Sequence, residues 1–298
     1  MISGLISEII DGVWMMNLKT ASGYIQLVES ILKGEFKTGE DFSEERKKSQ
    51  PRYATFKNGV YQVSDYGLSK KPEDAPENSI MVMNINGPIT KYDQFCGPSG
   101  MLTKSELLKR ADNTKNITGI LLVIESGGGN GYASRLMNET INGLSKPVVA
   151  FNDDLAASAA YQISSATDLI ISNSNIAEVG SIGTFITIVD FEEHWKQQGI
   201  KILEIYAKAS KDKNKEYYDA LKGNTEGIRA FADRFNEEFL KSVENNRKNN
   251  LKSGRDVWGT GKLFFAEKAI EIGLIDEIGS FEYAVQRTME LANESKIQ

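Results

Sequence analysis

Two short apolar runs, 147–154 (PVVAFNDD) and 168–171 (DLII), enclose the stretch Ala156–Thr167, AASAAYQISSAT. The runs have the length of buried strands, and the stretch between them suits a short helix. The order reads strand, tight turn, helix, strand. Ser158 falls at the turn, among small residues, where the helix begins. Small neighbours let another backbone approach closely, and a helix N-terminus favours developing negative charge. Both conditions suit a nucleophilic serine. An ordinary N-cap serine satisfies the same local pattern, so the rest of the chain has to decide.

Taken in order, residues 1–35 carry Ile2, Leu5, Ile6, Ile9, Ile10 and Val13 at helical spacing, which predicts one or two amphipathic helices. Such an arm docks on a neighbouring subunit or packs on its own domain. Residues 36–77 are polar and broken by Gly39, Pro51, Pro72 and Pro76, and read as a linker with a domain boundary near 77. The run 80–86 (IMVMNIN) predicts a strand, and 105–111 a helix. Ile120–Ile124 predicts a buried strand, followed by Glu125-Ser126-Gly127-Gly128-Gly129. Glycines there let backbone N–H groups face outward unobstructed. An ordinary βα turn has the same composition, whereas a phosphate loop would need a lysine and a Ser/Thr that are missing. A helix is expected over 132–144, a tight turn at Val179-Gly-Ser-Ile-Gly183, and strands over 185–191 and 201–206. Ile228, Phe231, Phe235, Phe239 and Val243 place one aromatic stripe along a long helix at 225–249, as core or subunit interface.

The net charge of −6 carries no basic excess for nucleic acid. A single cysteine, Cys96, and a single histidine, His194, leave no disulfide, CxxC pair or His-rich metal site. His194 sits in the charged segment EEHWKQQG, which reads as surface helix rather than as a catalytic base. No run of about 18 apolar residues is present, so no membrane span is expected. The N-terminus carries Glu8 and Asp11 and makes a poor signal peptide. A soluble, cytoplasmic protein follows as the expectation.

The ordered set ESGGG, the Ser158 turn, VGSIG, a lysine-rich segment at 208–215 and GLIDEIG at 273–279 resembles the signal peptide peptidase A family of serine proteases. The resemblance runs over about residues 78–290. The AASAAY form is similar to the branch that tailed phages use as head-maturation proteases, whose members often begin with a helical segment containing a tryptophan, here Trp14. The resemblance implies a Clp protease/crotonase-like α/β superhelical core over 78–298 behind an N-terminal helical arm and linker over 1–77. It also implies a Ser-Lys dyad and no cofactor or metal. Ser158 is then the nucleophile. Four lysines compete for the base, Lys208, Lys211, Lys213 and Lys215. The family's Ser-Gly-x-x-Lys-Asp motif selects Lys211 through Lys211-Asp212, although Ala207-Lys208 stands where the motif has Ser-Gly. An ordinary lysine is neutral in only about one molecule in two thousand at pH 7, so the base must be removed from water. By the same resemblance, Gly128 and Gly129 supply oxyanion amides, Ser158 N–H joins them, and Ser181 holds the lysine. The expected partners are a protein or peptide substrate, a phage scaffold or capsid protein, and further copies of the chain in a ring, with Lys211 serving a neighbour's Ser158. The alternatives are a host cytoplasmic peptidase and an inactive capsid assembly factor.

Overall fold

The computed structural model describes residues 14–16, 48–57, 60–65, 71–94, 98–188, 190 and 192–294. Its strands are β1 (Trp14–Met16), β2 (Arg52–Lys57), β3 (Val60–Val63), β4 (Ser79–Asn86), β5 (Ile117–Ser126), β6 (Gly128–Asn130), β7 (Val148–Ala157), β8 (Leu169–Ser172), β9 (Glu178–Gly180), β10 (Leu263–Phe265) and β11 (Glu277–Ile278). Its α-helices are α1 (Met101–Asn113), α2 (Gly131–Asn142), α3 (Ala159–Ser165), α4 (Glu192–Gln197), α5 (Lys215–Leu221), α6 (Glu226–Asn246), α7 (Arg255–Trp258), α8 (Ala266–Ile272) and α9 (Phe281–Glu294).

The unbroken apolar run of β5 is explained by its place at the centre of a nine-stranded sheet covered on both faces. Ile120, Leu122 and Ile124 enter one core with Leu108 of α1 and Met137 of α2. Leu121 and Val123 point the other way, into a second core closed by Ala284 and Val285 of α9. That is the period of two of a strand with no wet side. β4, β5 and β7 run parallel. β7 then divides its pairing. Residues 149–152 face β8, and 155–157 face β9, both in parallel. The antiparallel edges are β10 on β9 and the β2–β3 hairpin on β4.

The C-terminal third locks onto this frame through one buried ion pair. Arg247, 2% exposed, donates to both oxygens of Asp276 at 2.6 and 2.9 Å and to Gly273 O at 3.1 Å. Asp276 in turn accepts the Ile170 N–H of β8 at 2.8 Å. Removing either partner would strand a buried charge, at a cost of about 3–5 kcal/mol.

Several expectations change. Where residues 1–35 read as helical, the described piece, β1, is a strand, and the remainder lies outside the described residues. Where a polar linker is expected, β2 and β3 form an edge hairpin with Tyr53 and Ala54 buried, so the sheet begins ahead of residue 77. No strand spans the described part of 185–191, because the free edge of β9 is already taken by β10. Residues 201–206 form no ladder either, and every one of them is exposed. The aromatic stripe of α6 is split: Phe239 and Val243 are core, Phe235 is half-buried, and Phe231 is 45% exposed.

Candidate active site

The C-terminal ends of β5, β7 and β9 bring three of the predicted motifs together. Ser126 at the end of β5 lies opposite Ala156 of β7, and Ala157 lies opposite Gly180 of β9. One residue beyond each register point come the glycine loop, Ser158 and Ser181. Ser158 caps the first turn of α3 with φ 57° and ψ −116°, and its hydroxyl makes no capping bond. The N-cap explanation of this serine therefore fails. A positive φ on a residue with a Cβ costs on the order of 1–3 kcal/mol and is retained where the surroundings impose it. Here the surroundings are visible: Ser158 N–H donates to Gly180 O at 2.7 Å, and Ser158 O accepts from Gln162 N–H at 2.9 Å. Ser158 is fully buried, and its Oγ has no hydrogen-bond partner. The same 2.7 Å bond corrects the expectation that the Ser158 N–H helps bind an oxyanion, since that N–H is already occupied.

Ser181 repeats the strain, with φ 51°, and its N–H donates to Lys262 O at 2.8 Å. Gly180 has φ 111°, a conformation in which a side chain would also press on Lys262 O and the Phe264 ring. The family-like VGSIG pentapeptide is thus a rigid turn directly beneath Ser158.

The glycine loop forms a short strand, β6. Ile89 N–H donates to Gly128 O at 3.0 Å, and Asn130 N–H donates to Ile89 O at 2.8 Å. Ser126 Oγ donates to Gly87 O at 2.5 Å and accepts the Gly128 N–H at 3.1 Å. A Cβ on Gly129 would overlap the Ile89 backbone, which is why glycine is required there. Asn130 caps α2 through two N–H groups, Tyr132 at 2.9 Å and Ala133 at 3.1 Å. Just ahead of the loop, the Glu125 carboxyl is pushed up by partial burial and then by its neighbours Asp153 and Asp154.

Lys211 is not brought to this group. It lies on an exposed turn between the exposed segment 200–206 and α5, and among the described residues no side chain hydrogen-bonds the Ser158 Oγ. Lys208, Lys213 and Lys215 are exposed as well, and Lys215 pairs with Asp219. His194 is on the surface helix α4, edge-on to Trp195. Cys96 lies outside the described residues. No motif or spacing marks Lys104, which is 2% exposed and donates to Asn84 O at 2.9 Å. In MLTKSELLKR it looks like any helix-surface lysine.

Comparison with known proteins adds the following. The model of Peptidase family S49 matches residues 142–295. Protease 4 of Haemophilus influenzae is 29% identical over 246 residues, covering 80% of this chain and 39% of that protein. The head-tail preconnector protein GP5 of Enterobacteria phage P21 is 28% identical over 214 residues, covering 67% of this chain and 41% of that protein. The chain therefore spans well under two thirds of the length of both. Among solved structures, a membrane-bound stomatin-specific protease carrying a substrate peptide is 13% identical with a TM-score of 0.42, covering 71% of this chain and 80% of that one.

Proposed function

The chain belongs to peptidase family S49, and on that premise we propose that it is a serine endopeptidase whose Ser158 is completed by Lys211 from a second copy. One observation carries the reading: a buried serine hydroxyl without a partner, held at positive φ beside a glycine strand. Ser79, Ser105 and Ser172 are also buried with unpartnered hydroxyls, so it is the positive φ and the adjoining glycine strand that single out Ser158. In the proposed reaction Ser158 Oγ attacks the peptide carbonyl carbon while its proton passes to Lys211 Nζ. That proton then goes to the departing amine as the C–N bond breaks. Water, deprotonated by the same lysine, releases the acyl group. In this reading the Gly128–Gly129 strand faces the substrate, and the Gly128 N–H, which donates to Ser126 Oγ at 3.1 Å in the free chain, turns to the oxyanion as substrate binds; such a donor is worth on the order of a hundredfold in rate. Ser181 positions the lysine.

The sharing of the dyad between copies is supported by two features of the single chain. Lys211 is exposed, and so are the apolar residues leading to it, Ile200, Ile202, Leu203 and Ile205. Surface of that kind in a row is normally covered by a partner. A head-to-tail contact whose rotation divides a full turn closes into a ring. The substrate we propose is a scaffold or capsid protein of a phage prohead, on the strength of the similarity to the phage preconnector protein. Among the described residues no helix is long and apolar enough to cross a membrane. Mixing inactive Ser158→Ala with inactive Lys211→Ala tests the shared dyad. Hydrolysis of labelled casein returns in the mixture, because some interfaces pair an intact serine with an intact lysine. No recovery despite subunit exchange would place both groups in one chain.

A further inference from the structure

The glycine strand has two edges, and the chain occupies both. On one side, Gly128 O and Asn130 N–H are bonded to Ile89. Alternation along a strand then turns the N–H and C=O of Gly129 to the opposite edge. There β1 runs antiparallel, with Met15 opposite Gly129, Trp14 opposite Asn130 and Met16 opposite Gly128. β1 and β6 make a two-stranded sheet of their own, outside the nine-stranded one. An extended peptide bonded to the free edge of a strand is how sheets recognise unfolded polypeptide, with main-chain bonds supplying the affinity. From this juxtaposition we infer that residues 14–16 are a built-in occupant of the peptide position: the chain's own N-terminal strand holds Gly129 until a substrate strand displaces it. The inference rests on the proposed reading of Gly128–Gly129 as the substrate-facing amides.

Two features make the occupant displaceable rather than architectural. Among the described residues its ladder is three residues long and joins no other strand. An incoming antiparallel strand would replace its bonds to Gly129 one for one, so little is lost in the exchange. The full burial of Ser158 agrees, since part of the cover has to move before a carbonyl can meet its Oγ. Tethering gives such a segment an effective concentration in the millimolar range, enough to compete with a free peptide. Occupancy of this kind weakens apparent substrate affinity by the fraction of time the edge is open and leaves the chemical step alone.

The test uses the full chain carrying Ser158→Ala, so that binding is read without turnover, with fluorescein-labelled β-casein as the unfolded polypeptide. Met15→Pro removes the N–H that faces Gly129, whereas Met16→Pro removes one that faces away. We expect Met15→Pro to tighten the casein Kd about tenfold and Met16→Pro to leave it unchanged. Equal effects of the two prolines, or none from either, would overturn the inference. Hydrogen exchange at the Gly129 amide gives a second readout that needs no proline. That amide should be protected in the free chain and stay protected when casein binds; fast exchange in the free chain overturns the inference even if Met15→Pro does not fold. Failure of the underlying reading shows separately, as casein hydrolysis that proceeds equally with and without the Ser158 hydroxyl.

Discussion

Ser158 holds a backbone geometry that its own Cβ resists. Glycine accepts φ 57°, ψ −116° without strain and alanine does not. Ser158→Gly should therefore unfold at higher denaturant than Ser158→Ala, by the equivalent of about 1 kcal/mol or more, with both inactive on peptide. Equal stability would mean that the turn is not strained. Lys104 is the opposite case, a charge kept where water is absent. Burial lowers its pKa from 10.5 to about 8, with Asp93 pulling weakly the other way. The folded value lies below the unfolded one, so the unfolded chain binds more protons between about pH 8 and pH 10.5. Stability thus rises with pH through that window, and the full cost, on the order of 3 kcal/mol, stands below pH 8. Lys104→Met should stabilise the chain at pH 7, with a gain that fades towards pH 10.5. Urea unfolding at both pH values checks this, and a pH-independent gain would remove ammonium burial as the cause. The two residues also mark what a sequence reveals. Ser158, Ser181 and the Gly128–Gly129 pair are marked by their immediate neighbours, because turns and close approaches demand particular residue types locally. Nothing local distinguishes Lys104, whose burial comes from β4 and its surroundings.

Among the elements, α6 carries two halves with different duties. Phe239 and Val243 fill the core beneath α3, while Phe231 and Phe235 meet ring to ring at 5.4 Å nearer the surface. Phe239→Ala should cost about 3–5 kcal/mol of folding stability. Phe231→Ala should leave folding within about 0.5 kcal/mol and weaken self-association instead. Thermal melts and sedimentation together separate the two outcomes. The aromatic spacing showed the helix plainly, because a period of 3.6 belongs to the element itself. It did not show where cover ends. The same limit explains 201–206: KILEIY has the composition of a strand, but a strand is a relation between two segments, and among the described residues none pairs with it as a ladder. β1 misled for the reverse reason. Residues 14–16 adjoin apolar residues at helical spacing, and the strand that they pair with is more than a hundred residues away in the chain.

For the whole molecule, the proposed sharing of the dyad between copies would make activity a property of the assembly. Specific activity should fall on dilution together with the oligomer, and both should recover on concentration. Activity that stays constant while the sedimentation coefficient falls to that of one chain would tie both groups to a single subunit. The α/β class was legible throughout, since each buried parallel strand announces itself as an apolar run. The count of chains was not, because it is written only in surface left uncovered.

The buried pairing of Arg247 with Asp276, together with the closure of the second sheet face by α9, has a temporal consequence. As the chain leaves the ribosome, β4, β5 and β7 emerge early, but one of their faces remains bare until residues 281–294 follow. Arg247 likewise waits for residues 273–276. The strained serine turn, already synthesised, lacks a completed frame to hold it until nearly the last of these elements has been made.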